Sequence, residues 1–433
     1  MLALGLAAAW PYAQEPRQPT GAAPLGSRPA EARSGQPSGP ASPTKWTWWP
    51  GRDKSFFPIA VWLQDPQKAG RYRAAGFNLY VGLWRGPTEG QLAMLKAAGM
   101  KVICEQNAVG LKHLNDPTIV GWMHGDEPDN AQSLGRGQGY GPPIPPERII
   151  GEYERIRAAD PARPVMLNLG QGVAWDGWHG RGVRTNHPED YPEYVKGGDI
   201  ISFDIYPAAH DKPEVAGKLW YVARGVERLV QWTGGQKAVW NCLECTRIQN
   251  PKAKATPHQV RAEAWMSLIH GSQGLIYFVH EWQPRFNESA LLDDAEMLAE
   301  VTALNRQITR LAPVLNSPTM ADAVRVSTAN AEVPVAAAVK CHGGDVYVFA
   351  VAMREGATTA TFAFANGKLN AAAGAVQPAD ASAAWRLRLA PASRVEVIDE
   401  NRALSVKDGA FQDQFGPWDA HLYRITGETA GRR

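Results

Sequence analysis

The sequence predicts an α/β chain: a parallel (β/α)8 barrel followed by an antiparallel β-sandwich. Three observations carry that reading. From Ser55 onward, short runs rich in β-branched and aromatic residues alternate with helical patterns, eight units in about 260 residues. Most of these runs are apolar along nearly their whole length, as parallel strands covered on both faces are. After Pro318 the pattern switches to period-two alternation broken by turns such as His342-Gly343-Gly344.

The chain opens on "MLALGLAAAWPYAQ", residues 1 to 14, an apolar run with a small-residue end like the later part of a secretory signal, so export or a periplasmic location is expected. Residues 15 to 45 are rich in Pro, Ala, Gly and Ser, a composition that cannot bury enough surface to fold. The barrel is expected over residues 46 to 317.

Its strand-like runs are "FFPIAVWLQ", "FNLYVGLW", "KVICEQN", "TIVGWMHGDE", "PVMLNLG", "IISFDIYP", "KAVWNCLE" and "GLIYFVHEW". Helical patterns between them include "TEGQLAMLKAAGM", "PPERIIGEYERIRAADP", "GKLWYVARGVERLVQWTGG" and "TPHQVRAEAWMSLIHGSQ", several with start signals such as Thr88-Glu89 and Thr256-Pro257. The connection after "KVICEQN" is the weakest, with only "VGLKHLN" available. A doubly wound open sheet is the rival, but "WLQDPQKAG" lacks the Gly-rich phosphate turn that such a sheet usually carries after its first strand. Residues 318 to 427 read as the sandwich, through "ADAVRVSTA", "VPVAAAVKC", "DVYVFAVAM", "TTATFAFANG", "WRLRLA", "SRVEVIDE" and "AHLYRIT".

Bulk numbers narrow the function. A formal net charge of +2 over 433 residues argues against an electrostatic nucleic-acid binder. No later stretch is long and apolar enough to span a membrane. The 16 tryptophans outnumber Tyr and Phe, and an indole offers either a buried apolar body or a flat face for a sugar ring. The four cysteines, Cys104, Cys242, Cys245 and Cys341, are too few for a disulfide scaffold, and "CLEC" has no second Cys/His pair to complete a zinc site. No cofactor is expected.

Barrel active sites gather at the C-terminal ends of the strands. The fourth run ends at Asp126-Glu127 and is stopped by Pro128; the seventh ends at Glu244, in an otherwise apolar segment where a charge needs a reason. The sixth offers Asp204 and Tyr206 on one face, and the eighth offers His280, Glu281 and Trp282. Glu105 ends the third, Asn168 lies near the end of the fifth, and Trp84-Arg85 end the second. The loop after the fifth run carries Trp175, Trp178, His179 and Arg181, a candidate sugar platform. Two carboxylates facing each other across such a mouth are what glycosidic cleavage needs, one to protonate the leaving oxygen and one to attack or to activate water.

Glutamates ending strands four and seven, a Tyr near the end of strand six and a Trp ending strand eight resemble the clan A glycoside hydrolases, over nearly all of residues 46 to 427. The resemblance implies retaining hydrolysis of β-linked oligo- or polysaccharide, with carbohydrate as the substrate. Glu127 would be the acid/base and Glu244 the nucleophile. Tyr206 would donate a hydrogen bond to Glu244, and Trp282 would floor the subsite of the cleaved bond. Asp126 stands where many members carry an Asn that binds the 2-hydroxyl. Alternative readings are a carbohydrate-binding barrel without catalysis, or a metal-dependent hydrolase; for the latter the sequence supplies isolated histidines only.

Overall fold

A computed structural model describes residues 46–364 apart from 249, together with 368–369, 385–386 and 394–426. The segments expected as signal and leader lie outside the described residues, as does most of "WRLRLA".

The eight expected strands form a closed parallel barrel in chain order. They are β1 (Ile59–Trp62), β2 (Leu79–Val81), β3 (Lys101–Glu105), β4 (Ile119–Met123), β5 (Val165–Leu169), β6 (Ile200–Phe203), β7 (Ala238–Glu244) and β8 (Leu275–Phe278). Closure comes from β1 pairing with β8, Ile59 opposite Leu275. The helices are α1 (Ala69–Ala74), α2 (Glu89–Ala97), α3 (Ala108–Lys112), α4 (Pro146–Ala159), α5 (Tyr191–Tyr194), α6 (Trp220–Trp232), α7 (Pro257–Ile269), α8 (Ala290–Asp293) and α9 (Ala295–Leu315). The weak connection after β3 is the five-residue α3, capped by the Asn107 side chain. α2 and α7 start on capping boxes, Thr88 with Gln91 and Thr256 with Gln259, which satisfy amides that a helix start leaves open.

Strand alternation divides the side chains into two cores. Ala60, Val81, Ile103, Met166, Ile200, Trp240, Cys242 and Ile276 meet in the barrel lumen, and Trp46 and Trp49 join them. The intervening positions, such as Val61, Tyr80, Leu167, Phe203 and Leu243, pack against the helices. Alternation breaks once. The register of β3 on β4 shifts at Val102/Ile103, and Val120 and Met123, three residues apart, both face the lumen. Irregularities of this kind re-aim the side chains that follow. Here they precede Asp126 and Glu127.

Two further sheets follow α9. Their strands are β9 (Val324–Thr328), β10 (Val335–His342), β11 (Asp345–Ala352), β12 (Thr358–Phe364), β13 (Lys368–Leu369), β14 (Trp385–Arg386), β15 (Arg394–Val397), β16 (Arg402–Ser405), β17 (Ala410–Phe415) and β18 (Ala420–Ile425). One sheet runs β10-β11-β18-β15-β16 and the other β17-β12-β9, with β13 and β14 as a separate pair. β16 was not legible in the sequence, since "RALS" carries no apolar alternation. Val348 and Ala350 of β11 face the sandwich core, whereas Phe349 and Val351 face the barrel helices. The Phe349 ring lies 5.3 Å from that of Trp265 on α7. Both faces of β11 are therefore buried, which explains its unbroken apolar run.

Candidate active site

Glu127 follows β4 in a left-handed backbone conformation, φ +44°, which a non-glycine residue adopts only when its surroundings hold it there. Its side chain is 6% exposed, and Oε1 is buried with no hydrogen-bond donor. Gly170, just after β5, makes room for it. A Cβ on Gly170 would lie 3.0 Å from Glu127 Oε1 and 2.8 Å from Asn130 Nδ2.

The segment after Glu127 is tied to the loop after β5. Asp129 accepts hydrogen bonds from the Gly170 amide and the Tyr191 hydroxyl, both at 2.9 Å. Asn130 Oδ1 accepts from Trp178 Nε1 at 2.9 Å, and the buried Arg181 donates to the Asp129 carbonyl and to Asp190. Gln132 donates to the carbonyls of Glu127 and Asn130. The strained φ of Glu127 is thus held from both sides.

Asp204 is the residue that meets Glu127. Its amide bonds the Leu169 carbonyl at 3.1 Å, its Oδ1 is buried without a hydrogen-bond partner, and its half-buried carboxyl lies beside the Glu127 carboxyl and the Tyr206 hydroxyl. Burial, then the charges of Asp204, Asp126 and Asp129, raise the Glu127 carboxyl well above its usual range. Burial and the Asp126 charge push Asp204 up to about 7, while the neighbouring Glu127 carboxyl and Tyr206 hydroxyl favour its charged form. Two neighbouring buried carboxyls do not both ionise readily, so the pair shares a proton.

Asp126 is open to solvent, and its Oδ1 accepts from Asn168 Nδ2 at 2.9 Å. Asn168 in turn accepts from the Ser202 hydroxyl at 2.6 Å, with the Cys242 thiol at 3.8 Å. The surrounding protein and the Asp129 charge raise the Asp126 carboxyl to about 6, against the Asn168 bond.

Aromatic rings line the side of the mouth formed by β6 and β8. Tyr206 contacts Phe278 (5.2 Å between centroids), Phe278 contacts His280 (5.0 Å), and Trp282 lies 6.3 Å from His280 and 4.7 Å from Phe286. Burial lowers His280 to about 4, so it is neutral. Phe286 is 56% exposed, giving the wall a solvent-facing end. Trp84 is exposed beside Arg85. Trp175 is half-buried, edge-on to His210 at 5.6 Å.

Three expectations are corrected here. Glu244 does not present its carboxyl at the mouth opposite Glu127. It is fully buried, both oxygens accept backbone amides, from Ala208 at 2.6 Å and Ala209 at 2.7 Å, and its carboxyl neighbour is Glu263 of α7. Tyr206 serves Asp204 instead of Glu244. Trp178 is buried with its N–H committed to Asn130, so its indole supports the Glu127 segment and offers no open sugar face. Glu281 is half-buried beside Arg247 at 3.6 Å, and Glu105 is exposed. A cavity of ≈ 400 Å³ lined by Thr246, Lys254, Glu281, Asn287, Asp293 and Asp294 lies by the loops after β7 and β8, away from Glu127.

No family model and no curated protein matches the chain. Among solved structures it is similar to a noncanonic maltogenic alpha-amylase from Thermotoga neapolitana, at 9% identity and a TM-score of 0.50, over 86% of this chain and 99% of that one. A family 39 glycoside hydrolase from Bacteroides cellulosilyticus is similar over 87% of this chain and 82% of its own, at 13% identity and a TM-score of 0.46. An alpha-amylase from Anoxybacillus covers 89% of this chain with all of its own (100%), at 12% identity and a TM-score of 0.44. The likeness is one of fold, a (β/α)8 barrel with appended antiparallel sheets. At such identities the likeness concerns the barrel and its appended sheets, and the side chains must speak for themselves.

Among the described residues, no three His, Cys, Asp or Glu side chains are arranged to hold a metal ion, and no helix is long and apolar enough to cross a membrane. Asp129, Asn130 and Glu263 were missed as members of the site or its support, and Arg181, expected in the sugar platform, is instead buried against Asp129 and Asp190. Glu263 had a signal: it is an acid inside the otherwise apolar "AEAWMSLI" of α7. Asp129 had none beyond its nearness to Glu127.

Proposed function

We propose that the chain is a glycoside hydrolase in which Glu127 protonates the leaving oxygen and Asp204 is the opposing carboxylate. One observation carries the reading. At the C-terminal mouth of the barrel, a strained and buried Glu127, its carboxyl raised well above the usual range by burial and by Asp204, lies beside Asp204 and Tyr206. A proton donor and a carboxylate with separated affinities are the two groups that glycosidic cleavage requires.

Binding completes the geometry. The two carboxyls touch without substrate, whereas retention needs them roughly 5–5.5 Å apart, so a sugar entering between them must part the pair. Asp126, oriented by Asn168, is placed to accept a hydroxyl hydrogen bond, and the Tyr206–Phe278–His280–Trp282 wall offers an apolar face to the ring. The reading extends to β-linked oligo- or polysaccharide and to retention of configuration, as the sequence resemblance implies.

The closed setting of Glu244 favours one second reading, a barrel that binds glycans without cleaving them, since the expected nucleophile is out of reach. One experiment separates the two. Wild type, Glu127→Gln, Asp204→Asn and Glu244→Gln are tested on a panel of β-linked glycans and aryl β-glycosides, with NMR of the first-formed anomer. Turnover lost in the first two variants supports the proposal; glycan binding by wild type with no turnover on any substrate replaces it with the binding reading.

A further inference from the structure

Beneath the loop that follows β6 lies a second carboxyl pair. Glu263, in the middle of α7, is fully buried, and neither of its oxygens has a hydrogen-bond donor. The group it meets is Glu244, at the end of β7. Glu244 is also fully buried, and its two oxygens take the amides of Ala208 and Ala209. The other titratable groups nearby are the Cys245 thiol and the Lys254–Asp294 ion pair.

Two buried carboxyls in contact hold at least one proton between them. Glu244 already accepts two amides, which suit its charged form, so the proton resides on Glu263 and is donated to Glu244. A continuous path then runs from α7 through Glu263 and Glu244 to the backbone at 208 and 209. That backbone is four to five residues beyond Asp204 and two to three beyond Tyr206. The loop has further ties, from the Asp204 amide to the Leu169 carbonyl at 3.1 Å, from the Gly217 amide to the Pro207 carbonyl at 2.8 Å, from His210 to Gln171 Oε1 at 2.9 Å and from Asn250 Nδ2 to the His210 carbonyl at 3.2 Å; Glu244 adds the side-chain grip on the amides of 208 and 209.

We infer that Glu244 and Glu263 are a proton-sharing anchor, positioning residues that fix the loop after β6 and so hold Asp204 and Tyr206 against Glu127. The inference rests on the Glu127–Asp204 reading above. It gives Glu244 a physical reason to be an acid at the end of an apolar strand without contact with substrate. A carboxylate is the side chain that can accept two neighbouring amides at once while taking a third hydrogen bond from Glu263.

The test compares Glu263→Leu, which removes the donor, with Glu263→Gln, whose amide N–H restores one. Two readouts need no turnover: hydrogen exchange at the Ala208 and Ala209 amides, and carboxyl NMR titration of Glu127 and Asp204 in the ligand-free protein. In the leucine variant exchange should rise roughly tenfold or more, and the Glu127–Asp204 titration should move. With an active wild type, kcat on aryl glycosides should fall about tenfold at little-changed KM, and the glutamine variant should recover most of it. A folded leucine variant with wild-type exchange and titration overturns the anchor, as does covalent labelling of Glu244 by a 2-fluoro glycoside with a good leaving group. Should the leucine variant not fold, the glutamine variant decides, because tenfold faster exchange there overturns the inference. If wild type cleaves no glycan, the glycosidase reading fails alone, and exchange and titration still judge the anchor.

Discussion

Glu127 and Asp204, 77 positions apart in the chain, lie carboxyl beside carboxyl at the barrel mouth, and both carboxyls are raised above their usual range. Backbone strain at Glu127 and the hydroxyl of Tyr206 point the same way, the first fixing the acid and the second favouring a charged partner. The proposed roles, Glu127 as donor and Asp204 as carboxylate, have definite kinetic consequences.

Removing the donor should depend on the leaving group. Glu127→Gln should cost about 10²–10⁴-fold in kcat/KM on glycans, yet spare aryl glycosides whose leaving groups need no proton. Asp204→Asn should be severe on both. Equal losses across leaving groups in the Glu127 variant would mean that it is not the proton donor.

The pH profile of kcat/KM should be bell-shaped. Activity needs Asp204 ionised, so it falls as pH drops through about 7, the carboxyl's raised position. It needs Glu127 protonated, so it falls again at higher pH, where that raised carboxyl finally ionises. The two limbs belong to the pair as a unit. A profile flat from pH ~5 to ~8 would count against the assignment.

Stability should fall with rising pH over a window set by Glu244. Burial raises its carboxyl from 4.5 to about 7, and Glu263 is raised further by burial and by Glu244. Between those values the folded state binds more protons than the unfolded one, so stability is full below about 4.5 and is lost as pH climbs through 7. Thermal melts of wild type should show Tm declining across that range, and Glu263→Gln should flatten the decline. Parallel curves for the two proteins would refute the linkage.

Gly170→Ala tests the close approach of Glu127 to the loop after β5. The backbone at Gly170 has φ −82°, which alanine tolerates, so any effect comes from the added methyl pressing on Asn130 and Glu127 Oε1. Activity should drop roughly tenfold or more, as small misplacements of a reacting group cost heavily. Wild-type kcat in a folded variant would show that Glu127 reacts from elsewhere.

Trp282→Ala tests the aromatic wall. Losing one stacked face should raise KM for oligosaccharides about tenfold while leaving the hydrolysis of small aryl glycosides less affected. An unchanged KM on every substrate would remove the wall from the binding path.

Much of this was legible in the sequence. Near-continuous apolar runs spaced by helical patterns have few stable arrangements, and a closed parallel barrel follows because each strand must cover two faces at once. The same logic located the mouth, because strand ends are where a chain of this class leaves its polar residues, and it singled out Asp126-Glu127 before Pro128. What it did not decide was which acid Glu127 meets. Glu244 and Asp204 both end strands, and periodicity cannot say where a side chain turns once its strand has stopped. That choice was made in three dimensions: the backbone amides of Ala208 and Ala209 and the Glu263 carboxyl capture Glu244 beneath a loop, and the same loop carries Asp204 to Glu127. Hydrogen bonds to backbone depend on loop path, not on residue type, so they leave no mark in the sequence that fixes them.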